Sequence, residues 1–122
     1  MQLRHLHLHV VDIETLAEWY RTHLGFKTVH QVAGHLIILS HADSECMIGF
    51  ESGVPLEPAS SVHMIFRVGN VDETYQRLIT DNVPCSMPPT GQPYGHRVMV
   101  TSDPAGHTIE LYTPLDGDRP WD

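Results

Sequence analysis

The stretch Ser102–Pro114, S-D-P-A-G-H-T-I-E-L-Y-T-P, reads as a turn feeding a short strand that carries one acid among apolar neighbours. Asp103-Pro104 and Gly106 supply the turn, proline by presetting φ and glycine by accepting positive φ. Thr108 to Thr113 then reads as a strand, with Ile109 and Leu111 turned to a core and Thr108, Glu110 and Tyr112 sharing the other face. A carboxylate in mid-strand is costly to bury without a partner. His5 and His63 each begin a strand that leads into a helix. Two imidazoles and a carboxylate converging from three strands make a metal site with positions left open.

The rest of the chain repeats this grammar. Leu3 to Val11 alternates strictly, with Leu6, Leu8 and Val10 on one face and His5, His7 and His9 on the other. Asp12 is the expected N-cap of a helix with Ile13, Leu16, Ala17, Tyr20 and Leu24 on its apolar stripe, and Gly25 ends it. Phe26–Val32, His35–Leu39 and Cys46–Glu51 read as three more strands. The second half restarts at Ser61–Val68, and Asn70 with Glu73 opens a helix bearing Val71, Tyr75, Leu78 and Ile79. Strands follow at Cys85–Met87, Arg97–Thr101 and Thr108–Thr113. The spacing from His63 to Asn70 equals that from His5 to Asp12, and a slide of 61 positions sets His35 on His96 and Gly49 on Glu110. The expectation is an α+β fold of two βαβββ modules in one domain, 1–122: module one at 3–51, a Pro- and Ser-containing linker at 52–61 and module two at 62–114.

A formal net charge of −8 with a single lysine, Lys27, argues against nucleic acid or an anionic membrane surface as partner and leaves small molecules. No apolar run approaches the roughly 20 residues that span a bilayer, and the start of the chain lacks a basic-then-apolar pattern, so a soluble, cytoplasmic protein is expected. Cys46 and Cys85 are read as reduced core thiols.

H-x-x-L-x-V-x-D from His5, Leu24-Gly25-Phe26, the second-module H-M-I-F-R-V and D-P-x-G-x-x-I-E-L-Y together resemble the vicinal oxygen chelate superfamily. That group comprises glyoxalase I, bleomycin resistance proteins, fosfomycin-modifying enzymes and extradiol dioxygenases. The resemblance implies open mixed β-barrel halves paired in a homodimer, with His5 of one subunit joining His63 and Glu110 of the other around a divalent metal. Four-ligand members carry an acid or amide where this chain has Gly49; the remaining His-His-Glu set suits Fe(II) or Mn(II), with Zn(II) and Ni(II) as alternatives. Glu51 shares the face of Gly49 and is the alternative fourth ligand.

Around that site, His7 is the candidate acid–base group and Tyr112 a second catalytic candidate, set against roles in packing. Arg67, Tyr94 and His96 are the candidate substrate-binding residues: Arg67 through its bidentate fork or in a salt bridge with Glu51, the other two from a loop at Gln92–His96 able to close over a cleft. His107 is expected to face solvent. No subfamily pattern is complete, because Val100 and Gly91 stand where extradiol dioxygenases carry tyrosine and histidine, and His7 stands where fosfomycin transferases carry threonine. The sequence therefore points to a metal-dependent enzyme chelating a small oxygen-rich substrate, by oxygenase or group-transfer chemistry ahead of lyase or isomerase chemistry. The alternative is a non-catalytic drug- or metabolite-binding protein of the bleomycin resistance type.

Overall fold

In the computed structural model, which describes residues 1–122, the alternating stretch forms strand β1, His5–Val10. Helix α1, Ile13–Leu24, follows at once because Asp12 caps it, its carboxylate accepting from the Thr15 N–H at 3.1 Å. Gly25 closes the helix at φ 73°, a left-handed conformation that a side chain would strain. β2 (Lys27–Val32), β3 (Leu36–His41) and β4 (Ser44–Ser52) complete the first module. The second contains β5 (His63–Arg67), α2 (Val71–Thr80), β6 (Cys85–Gly91), β7 (His96–Ser102) and β8 (Thr108–Pro114), after a short 3-10 turn at Ala59–Ser61. Asn70 caps α2 by accepting from the Glu73 N–H at 3.1 Å.

Each module holds one four-stranded mixed sheet, with orders β1-β4-β3-β2 and β5-β8-β7-β6. The first strand runs parallel to the last, and the remaining neighbours are antiparallel. His5 pairs with Met47 and His7 with Gly49, while His63 pairs with Thr108 and Ile65 with Glu110. Gly49 and Glu110 therefore hold the same place in their sheets. On the middle strands the slide is one residue longer: Ile38 opposes Gly49 and Val100 opposes Glu110, which sets His35 against Arg97 rather than His96. β6 continues through Pro88 and Pro89 to Gly91, beyond the expected Met87, because it is an edge strand where missing N–H groups cost little.

Two compact units result, Met1–Ala59 with Asp103–Ala105, and Ser60–Ser102 with Gly106–Asp122. In the first, α1 packs on β3 and β4, burying Leu16, Ala17 and Tyr20 with Ile37, Leu39, Ile48 and Phe50. In the second, α2 packs on β6, β7 and β8, and Val71, Leu78, Met99, Ile109 and Leu111 are buried. The opposite face of each sheet is left for the histidines and acids. Two expectations fail on burial: His107 is only 3% exposed, and both cysteines, free as expected, are half-buried rather than core thiols. Burial pushes the Cys85 thiol up from its ordinary value. No helix is long and apolar enough to cross a membrane.

Candidate functional site

Within the second unit, β5 and β8 bring two of the three expected ligands together. His63 Nε2 faces Glu110 Oε1 at 3.4 Å, with the histidine half exposed and the carboxylate largely covered. An imidazole nitrogen and a carboxylate oxygen on one sheet face form a donor pair that fits a divalent transition ion. Tyr94 lies close enough that the Glu110 charge, after desolvation, helps raise its phenol above the ordinary range. His5, in the first unit, is exposed at the start of β1, its ring 6.4 Å from that of His7 in an edge arrangement.

The three expected substrate-binding residues, Arg67, Tyr94 and His96, and the catalytic candidate Tyr112 gather at a position the sequence did not reveal: the segment Asp116–Asp122 folds back over them. The Asp122 side chain is 1% exposed, and His96 Nε2 donates to it at 2.8 Å. Tyr112 donates its hydroxyl to the Asp122 main-chain oxygen, and Arg67 reaches the same oxygen at 3.2 Å. Arg119 clamps the carboxylate from within the segment and donates to the Tyr94 and Gly95 carbonyls at 3.0 and 2.8 Å. Although burial opposes it, hydrogen bonds from Arg119 and His96 hold the Asp122 carboxyl down at about 2.

These contacts give several of those residues partners within the chain. Arg67 pairs with Asp118 at 3.6 Å rather than with Glu51. His96 belongs to β7 instead of a loop, and its ring stacks on Tyr112 with centroids 4.1 Å apart. The Gln92–Gly95 turn is held by Arg119, whose guanidinium occupies the space where any side chain at Gly95 would stand. The sequence signal for this clasp was the pair Arg119 and Asp122, opposite charges three residues apart.

In the first unit, Glu51 is spoken for by histidines other than His5. Its two oxygens meet His7 Nε2 at 3.0 Å and His9 Nε2 at 3.1 Å. The His7 ring turns its Nδ1 toward Gly49, so that a Cβ there would fall 2.8 Å from it. One His7 nitrogen is thus on Glu51 and the other lies beside Gly49. Hydrogen bonds from His7, and secondarily from His9, hold the Glu51 carboxyl below its ordinary range against the opposing effect of burial.

Paired βαβββ modules, each with an α-helix on one sheet face and histidines and acids on the other, define the class of protein. The chain belongs to the Glyoxalase/Bleomycin resistance protein/Dioxygenase superfamily, whose pattern matches residues 2–111. Among solved structures it is similar to an integron cassette protein from the mobile metagenome of V. cholerae (27% identity, 93% of this chain and 94% of that one, TM-score 0.74). It also resembles TnmS3, an antibiotic binding protein from Streptomyces sp. CB03234 (24% identity, 93% and 96%, TM-score 0.81), and lactoylglutathione lyase from Agrobacterium tumefaciens (20% identity, 92% and 92%, TM-score 0.75). No curated protein matches it.

Proposed function

We propose that this chain is a divalent-metal-dependent enzyme that takes a small substrate by two neighbouring oxygens, with His63, Glu110 and a partner subunit's copy of His5 as ligands in a homodimer. The observation that carries this reading is the facing of His63 Nε2 and Glu110 Oε1 at 3.4 Å. Fe(II) or Mn(II) is the favoured ion for a set of two imidazoles and one carboxylate, ahead of Zn(II) or Ni(II). When bound, the ion supplies Lewis-acid stabilisation of a developing oxyanion, with oxygenase or group-transfer chemistry ahead of lyase or isomerase chemistry.

The chain's own residues bind and orient. Arg67 and Tyr112 are register partners one step along the sheet face from the Ile65–Glu110 pair, so their guanidinium and phenol would be the donors to orient a substrate held beside Glu110. His96 and Tyr94 frame the same face, and Asp116–Asp122 must move aside for a ligand to use those donors. Elemental analysis of untagged protein purified without oxygen tests the reading: near-stoichiometric Fe or Mn, lost in Glu110→Ala, is expected. Unchanged metal content in that variant would sink it.

A second reading is supported by the fold shared with TnmS3 and by Gly49, which leaves the first module without the usual acid. In it the protein sequesters a drug or metabolite without catalysis, and its net charge of −8 favours a cationic ligand. A metal-free chain whose melting temperature rises with a cationic glycopeptide such as bleomycin, and with no added ion, is the expected result under that reading.

A further inference from the structure

The first module carries a donor set that the reading above does not use. On β1, His7 and His9 alternate onto one face, and on the parallel neighbour β4, Glu51 is the register partner of His9. The two Glu51 oxygens are divided between the two rings, at 3.0 and 3.1 Å, and the three donor groups all lie within 4.8 Å of one another. Gly49, the partner of His7, opens the space into which that ring leans; an alanine there would press its Cβ against Nδ1 at 2.8 Å. The matching positions of the second module hold Ile65, Arg67 and Tyr112, so the repeat does not explain the cluster. Its residues belong to the first module alone.

We infer that His7, His9 and Glu51 form a second divalent transition-metal site, able to take Zn(II) and distinct from the pair His63 and Glu110. The donor chemistry admits such an ion: two neutral imidazoles and one carboxylate, with a fourth position for water or a small ligand, is a common tetrahedral zinc set. Zinc bonds of about 2.0–2.2 Å place neighbouring donors about 3.4 Å apart in a tetrahedron, close to the observed histidine–glutamate separations. Each Nε2 must bind unprotonated, so its proton moves to Nδ1 of the same ring. Half-exposed rings, 39% and 47% for His7 and His9, leave an entry path from solvent. Gly49 gives the site a positioning device, because it lets the His7 ring sit with Nδ1 against the sheet and Nε2 toward Glu51.

The test is titration of Zn(II) into metal-free full-length chain against a fluorescent chelator, with the imidazole protons followed by NMR. In a His63→Ala/Glu110→Ala background, which silences the other pair, one zinc per chain is expected, with the His7 and His9 resonances moving together. Adding Glu51→Gln or His9→Asn is expected to weaken binding by 100-fold or more, and Gly49→Ala by about tenfold, as for groups that orient a ligand. Because the nearest atoms a Cβ at Gly49 would meet are side-chain atoms of His7 and His5, an unchanged melting curve is expected to accompany the loss of affinity in Gly49→Ala. Zinc binding unaffected by Glu51→Gln and His9→Asn, or no zinc at all in the silenced background, overturns the inference. Equal zinc stoichiometry in wild type and silenced chain would instead count against His63 and Glu110, so the two failures are separable.

Discussion

His63 Nε2 lies 3.4 Å from Glu110 Oε1, although the two residues are not register partners: His63 opposes Thr108, and Glu110 opposes Ile65. Parallel pairing places the histidine one same-face step behind the acid, and the longer reach of both side chains closes the gap. Replacing Glu110 by alanine therefore removes a proposed ligand without opening the helix-side core, since Ile109 and Leu111 carry the packing. Metal affinity is expected to fall by at least 100-fold, with a melting temperature within a few degrees of the metal-free parent. Parallel chelator competition and thermal denaturation check both halves.

Tyr20 is fully buried and donates its hydroxyl to Asp103 at 2.8 Å, and Asp103 also accepts from the Ala105 N–H at 3.0 Å. Burial first, and then the Asp103 carboxylate, push the phenol far above its ordinary range, so it stays a donor at any working pH. Tyr20→Phe keeps the ring contacts with Phe26 and Phe50 but leaves a carboxylate oxygen without this donor. A loss of about 1–3 kcal/mol is expected from urea unfolding, whereas a neutral result would mean that water replaces the hydroxyl.

Phe50 sits wholly buried on β4, its ring 5.3 Å from that of Tyr20 beneath α1. Truncation to alanine leaves a cavity that the sheet cannot collapse to fill, and a cost of about 3–5 kcal/mol is expected. Equilibrium denaturation measures it, with the first unit's amide protons losing protection from hydrogen exchange.

What was legible followed from period and punctuation. The alternation of His5 to Val10, the caps Asp12, Gly25 and Asn70, and the two apolar helix stripes set the module order, because each is a local rule that packing had no reason to override. Register was harder. The slide that aligns Gly49 with Glu110 misplaces His35 by one residue, since the connection between β7 and β8 differs in length from that between β3 and β4. The turn neighbours of His107 predict an exposed ring, yet it is buried. The pairing of Glu51 with His7 and His9 needed the β1–β4 register, and the fold-back of Asp122 onto His96 joins residues 26 apart through a segment with no periodicity. Both are long-range relations that a linear pattern does not encode.

The Asp122 contact carries a pH signature. Its carboxyl is held at about 2 against an ordinary value of 3.8, so the stabilisation is fully present above the ordinary value and is lost as pH falls through about 2. Asp122→Asn keeps the shape of the side chain and removes the charge that Arg119 and His96 hold. At pH 6 the variant is expected to exchange the amides of Tyr94–His96 faster than wild type, because the clasp over that face opens more often. Between pH 4 and pH 2 the wild-type rates should rise toward those of the variant, after allowance for intrinsic exchange. Hydrogen exchange followed by mass spectrometry reads this directly, and a gap between the two proteins that stays constant down to pH 2 would show that the charge on Asp122 does not hold the segment in place.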